Sequence, residues 1–146
     1  MTKLLILSAL TFITFLSSCN KCDSSNSTEG IIVEDAIVRI IGKAPEQALI
    51  TNYLSSEFNI EVSFDGGLNY KSVDFSKYSV MALSTTASCS SGYNRSVTLD
   101  KTESIVYYTV LITECSTCQN STTIPNYVLT TLIPEEYTAI YHTVRN

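Results

Sequence analysis

The spacing of apolar residues changes character several times along the chain. Leu4 to Leu16 is mostly apolar, interrupted by Ser8, Thr11 and Thr14. It is too short to span a bilayer, which needs roughly 20 residues. Asn20 to Gly30 holds no large apolar residue. Such a stretch cannot bury enough surface to offset its ordering entropy, so a flexible tether is expected there. Ile31 to Ile41 is rich in β-branched residues but is interrupted at Glu34-Asp35, which predicts a broken strand. Pro45 then stands where a first helical turn accepts it, followed by Glu46 and Gln47. Leu49, Ile50, Tyr53, Leu54 and Phe58 recur at helical spacings. The pattern predicts one amphipathic helix packed on a sheet.

Beyond Phe58 the period becomes two. Ile60, Val62 and Phe64 alternate with Glu61 and Ser63, and Asp65-Gly66-Gly67 supplies a turn leading to a second arm through Leu68 and Tyr70. Ser79 to Leu83 is a compact apolar strand. Ile105 to Glu114 carries the strongest alternation, with Val106, Tyr108, Val110 and Ile112 on one face and Ile105, Tyr107, Thr109 and Leu111 on the other. Tyr127 to Ile133 and Tyr137 to Val144 complete the set, separated by Pro134, which lacks the donor a ladder needs. Short spacings and turn signals argue for antiparallel pairing. The expected class is therefore α+β: an antiparallel β-rich sheet or sandwich over residues 31–146, with one amphipathic helix near its start. Residues 1–18 and 19–30 stand outside that domain.

Composition narrows the setting. A chain of 146 residues is sized for one domain. Nine basic against fourteen acidic residues give a net charge of −5, which removes the electrostatic footprint of a nucleic-acid binder. Few charges, no Trp, one His and abundant Ser, Thr and Tyr suit a β-rich domain outside the cytoplasm.

Lys3 and the apolar run form the n- and h-regions of an export signal, and Leu16-Ser17-Ser18-Cys19 follows directly. That tetrad resembles a bacterial lipobox. The resemblance implies a diacylglycerol on the Cys19 thiol, cleavage before it, and acyl chains that hold the mature chain at a membrane. Asn20, where an Asp would signal retention, implies the outer membrane. Residues 1–18 are then a lipoprotein signal peptide and 19–30 a lipid-anchored tether.

The other cysteines are Cys22, Cys89, Cys115 and Cys118, an even number in an oxidising compartment. Cys89 sits in a Ser/Gly-rich loop with Ser90, Ser91, Gly92 and Tyr93, while Cys115 and Cys118 form a Cys-x-x-Cys after the long strand. Three readings stay open. A structural disulfide joins Cys89 to Cys115 or Cys118. A redox pair uses Cys115 and Cys118, although such pairs work best at a helix N-terminus, where the thiol pKa falls. A zinc site uses three Cys and His142, although only one Cys-x-x-Cys knuckle is present. The first is favoured, and no metal or cofactor is expected.

Catalytic patterns are sparse. His142 lies four residues from the C-terminus without a Gly-x-Ser-x-Gly elbow, and the Glu34-Asp35 and Glu135-Glu136 pairs read as solvated surface. No catalytic residue is assigned.

Val73 to Val80, Cys89, Asn94 to Thr98, Glu114 to Cys118, Asn126 to Leu129 and Ile133-Pro134 together resemble a group of small lipoproteins of Bacteroidota, over about half of the chain. Members often carry a Gly run before the loop Cys and a Gly inside the Cys pair. Here Thr86-Ala87-Ser88 and Ser116 stand in those places. Gly92-Tyr93 is more distantly similar to the C-terminal domain of the accessory subunit of treponemal surface-protease complexes (PrcB-like). Both resemblances imply a small β-rich envelope domain and no catalytic residue. The expected function is a membrane-anchored, non-enzymatic binding or accessory module, associated with an envelope protease, whose contact surface is the Thr85–Tyr93 loop, with Ser90, Ser91, Gly92 and Tyr93, and the Cys115–Thr123 loop, brought together by the disulfide. The alternatives are an envelope thiol oxidoreductase and a structural coat lipoprotein.

Overall fold

The computed structural model describes residues 26–52, 54–88, 92–114 and 120–146. Ten strands account for most of them: β1 Asn26–Gly30, β2 Ile37–Ile41, β3 Gln47–Ile50, β4 Asn59–Ser63, β5 Lys71–Ser72, β6 Tyr78–Ser88, β7 Gly92–Asp100, β8 Ile105–Thr113, β9 Ser121–Thr131 and β10 Thr138–Arg145. They form three sheets, in the orders β1-β7-β8-β10, β3-β6-β9 and β2-β4-β5.

The sheet β3-β6-β9 is the middle layer. Met81, Leu83 and Ala87 of β6 and Val128 of β9 pack with Val97, Val106, Val110 and Ile112 of the four-stranded sheet. Val80 and Leu129 point the other way and pack with Ile60 and Val62 of β4. A strand covered on both faces reads as a continuous apolar run, which is why Ser79 to Leu83 has no polar alternation and is buried throughout. β8 has one buried face, and its burial alternates residue by residue as the sequence predicts.

Among the described residues of Pro45–Phe58 the expected amphipathic helix is absent. β3 occupies part of that segment, antiparallel to β6, with Leu49 opposite Met81 and Ile50 opposite Val80. Ser55–Glu57 is a single 3₁₀ turn. Adjacent apolar residues are the reason. In a strand Leu49 enters one core and Ile50 the other, and a middle layer rewards that arrangement. β3 also satisfies the edge of β6, whose backbone groups would otherwise be buried unpaired.

Two further expectations change. Residues 26–30, expected in the tether, form a strand instead: Asn26–Gly30 is β1, paired in parallel with β7. β10 likewise runs parallel to β8. Both edges of the four-stranded sheet are thus parallel pairs, and the remaining ladders are antiparallel.

The expected interruption at Glu34-Asp35 separates Ile32, bridged to Thr130, from β2, and Asp35 takes a left-handed backbone at φ 59°. Residues 26–33 close one side of the sandwich. β1 borders β7, then Ile31 accepts from the Thr131 amide and Val33 donates to the Leu129 carbonyl.

Candidate functional site

The connections that carry the cysteines leave the described strands at one end of the molecule. Ser88, the last residue of β6, is opposite Ser121, the first of β9. Gly92, the first of β7, is opposite Thr113, the last of β8. The chain passes from the middle sheet to the four-stranded sheet between β6 and β7, and back between β8 and β9. Asn26 is opposite Tyr93 at the same end, so the chain N-terminal to β1 also joins there.

Arg145 ties this end together. Its Nη1 donates to Glu114 Oε1 at 2.6 Å, and its Nη2 donates to the Thr86 carbonyl at 2.6 Å. Glu114 immediately precedes Cys115, and Thr86 lies three residues before Cys89. One side chain therefore spans the two sheets beside both cysteine-bearing connections. The Asn146 amide adds a bond to the Ile112 carbonyl at 3.0 Å.

The predicted site residues divide in two groups. Cys19, Cys22, Cys89, Cys115, Cys118, Ser90 and Ser91 lie outside the described residues. Gly92 and Tyr93 do not belong to an exposed loop. They open β7, and Tyr93 is buried in the core, because the inward face of the strand begins with its ring. Tyr93 consequently cannot offer the contact surface expected of it. His142 is exposed on β10, its ring 6.2 Å from that of Tyr107. Among the described residues no group of three or more His, Cys, Asp or Glu side chains is placed to hold a metal ion.

A polar cluster inside the sandwich was not singled out by the sequence. Arg95 shares the inward face of β7 with Tyr93 and Val97. Its Nε donates to Asn126 Oδ1 at 2.9 Å, and its guanidinium lies 5.3 Å from the Tyr93 ring centroid. Asn126 is fully buried. Its Nδ2 donates to Thr85 Oγ1 at 2.9 Å and to the Ile124 carbonyl at 3.2 Å, and its own carbonyl accepts from the Tyr108 hydroxyl at 3.1 Å. Burial pushes the Tyr108 hydroxyl pKa well up, partly offset by the positive charge of Arg95. Tyr141 stands edge-on to Tyr108 with ring centroids 6.3 Å apart. Its hydroxyl is buried without a hydrogen-bond partner among the described residues, and burial raises its pKa too.

A readable signal existed for this cluster. Charged and amide side chains at the inward positions of alternating strands are rare unless they are paired. Arg95 and Asn126 both occupy such positions.

Open cavities flank the layers, and three of them are described by their walls. One of about 450 Å³ lies between β3 and β10, bordered by Leu49, Leu54 and Tyr137. A neighbour of about 260 Å³ is bordered by Phe75, Leu132 and Pro134. The third, of about 530 Å³, lies between β2 and β9 with Arg95 in its wall. No protein-family model, curated protein or solved structure matches this chain.

Proposed function

We propose that this chain is a lipid-anchored protein of the bacterial cell envelope, held in the outer membrane through Cys19, and that it works as a non-enzymatic binding module. Its contact surface is the end formed by the 88–91 and 114–123 segments, without the buried Thr85, Ala87, Gly92 and Tyr93. The observation that carries this reading is Arg145, which joins Glu114 to Thr86 and so draws the roots of both segments together across two sheets. A structural disulfide from Cys89 to Cys115 or Cys118 would lock the same arrangement.

The anchor and this surface belong to the same end. Seven residues separate Cys19 from Asn26 when both the first and the last of 19–25 are counted. Fully extended they reach at most roughly 25 Å, and on average nearer 15 Å as a flexible chain. The surface then stays close to the bilayer, and the partner it suits is itself held at the membrane. An anchored envelope protease, for which this chain would be an accessory subunit, fits that requirement.

Photo-crosslinking in intact cells tests the reading. A crosslinker at Thr122, exposed on β9, should capture one membrane-associated partner, and one at Leu68, exposed in the β4–β5 turn, should not. Recovery of the chain alone from both positions would sink it. Mixed disulfides trapped on Cys115 or Cys118 would favour the thiol oxidoreductase instead.

A further inference from the structure

The groove between β2 and β9 has a structural origin. Ile32 is bridged to Thr130 in an antiparallel register. Continuing that register would set Ile37 opposite Pro125, whose nitrogen carries no hydrogen. The two strands part instead. β2 is the edge of one sheet and β9 the edge of another, and they diverge around a cavity of about 530 Å³. Val38, Ile40, Pro125 and Tyr127 give it apolar walls, and Arg39 and Arg95 are its two cationic side chains.

The two arginines differ. Arg39 is engaged: it pairs with Glu61 and stacks 3.8 Å over the Tyr70 ring. Arg95 has no carboxylate partner among the described residues. Its one hydrogen bond there runs from Nε to a neutral amide oxygen, which leaves the terminal amino groups of the guanidinium as donors toward the groove. The amide that holds it is itself fixed by contacts: Asn126 is fully buried and bonded through both Oδ1 and Nδ2. A half-buried guanidinium fixed by a buried amide and lacking a counter-charge is a pre-oriented receptor for a planar anion. Carboxylate is the two-pronged match for that fork.

The walls say what carries the carboxylate. Leu129 and Thr131 direct their backbone groups away from β6, toward residues 31–33. By the two-residue period of a strand, Tyr127 directs its amide and carbonyl the same way, into the opening. A strand edge beside apolar side chains is the receptor used when an extended peptide adds to a sheet. We propose that this groove binds an extended peptide segment whose carboxylate is taken by Arg95, with Asn126 as the positioning residue. The proposal does not rest on the reading of the cysteine-flanked end.

Full-length protein in detergent micelles, titrated with fluorescein-labelled heptapeptides of alternating Val and Thr, tests it. The peptides carry a central Glu or Gln and a free or amidated C-terminus. Wild-type protein should bind a carboxylate-bearing peptide about tenfold more tightly than the amidated Gln peptide, as expected for one charge-assisted bidentate contact. Preference for Glu identifies a side chain as the source, and preference for the free acid identifies a chain terminus. Arg95→Gln, which keeps a donor for Asn126, should abolish the preference, and Arg95→Lys should lose most of it. Should Arg95→Gln fail to fold, amide shifts in the wild-type protein decide the matter. Shifts at Val38 and Tyr127 on adding the Glu peptide support the site. Equal binding of all peptides, or shifts confined to Ser121–Thr123, would overturn it.

Discussion

A Cβ placed on Gly30 would stand 2.0 Å from the carbonyl oxygen of Val97. The same oxygen accepts from the Ile31 amide at 3.0 Å. At this contact the chain leaves the four-stranded sheet and crosses to the edge of the middle one, with Gly30 at φ +83°. Only glycine meets both demands without strain. Gly30→Ala is expected to cost at least about 1–2 kcal/mol from the left-handed backbone alone, with the clash added. Hydrogen exchange should then show lost protection at the β1 partners on β7. Unchanged stability and protection would mean that β1 is not held against β7.

Two tyrosines of the core should respond in opposite ways to losing their hydroxyls. Tyr108 donates to the Asn126 carbonyl, so Tyr108→Phe is expected to cost about 1 kcal/mol. The Tyr141 hydroxyl is buried with no partner among the described residues. Tyr141→Phe is therefore expected to be neutral or stabilising, since it removes a buried polar group that has forgone its water. Urea denaturation of the two variants beside wild type measures the difference. A large loss for Tyr141→Phe would reveal an acceptor for that hydroxyl.

The turns on either side of β5 should make stability sensitive to acid. Asp65 accepts from Ser63 Oγ, the Leu68 and Asn69 amides and Asn69 Nδ2. These bonds, led by Ser63, hold its carboxyl far below the ordinary 3.8. Asp74 is held down to about 2, first by the Ser76 hydroxyl and then by Lys77. A carboxylate with a lowered folded pKa stabilises the fold above its unfolded value and loses that contribution as pH falls through the folded one. Stability should thus decline as pH drops from about 4 toward 2. Asp65→Asn with Asp74→Asn should give lower stability at pH 7 and a flatter profile in that window. A double variant that keeps the wild-type acid slope would show that other groups set it.

The pairing of Ser88 with Ser121 and of Gly92 with Thr113 leads to an expectation for the cysteines. Peptide mapping without reductant should find Cys89 joined to Cys115 or Cys118. Closing a loop of roughly 25–30 residues contributes about 3–4 kcal/mol in the chain-entropy model. Reduction should lower the unfolding midpoint accordingly. Complete labelling of Cys89, Cys115 and Cys118 in native, unreduced protein would defeat the expectation.

Elements with one buried face were legible along the chain. The alternation from Ile105 to Thr113 appears in β8 residue by residue, because a strand between solvent and core must sort its side chains by two. The turn at Asp65-Gly66-Gly67 was legible for a related reason, since both glycines take positive φ and few other residues do so cheaply. Leu49-Ile50 misled because helical spacing and burial in two separate cores use the same residues. Asn26–Gly30 was missed because its burial pattern is exposed throughout. Backbone pairing to β7 holds it, and backbone pairing leaves no mark in side-chain chemistry.

The candidate sites divide along the same line. The sequence by itself determined which segments are apolar, where the cysteines fall and that the lipobox-like tetrad precedes the β-rich domain, since each is a property of neighbouring residues. Only the tertiary structure decided that Glu114 and Thr86 share Arg145, that Tyr93 is core, and that Arg95 meets Asn126 from another sheet beside an open groove. The polar contacts among these join residues 31 to 59 positions apart, and local patterns carry no information about which strand a β-strand will face.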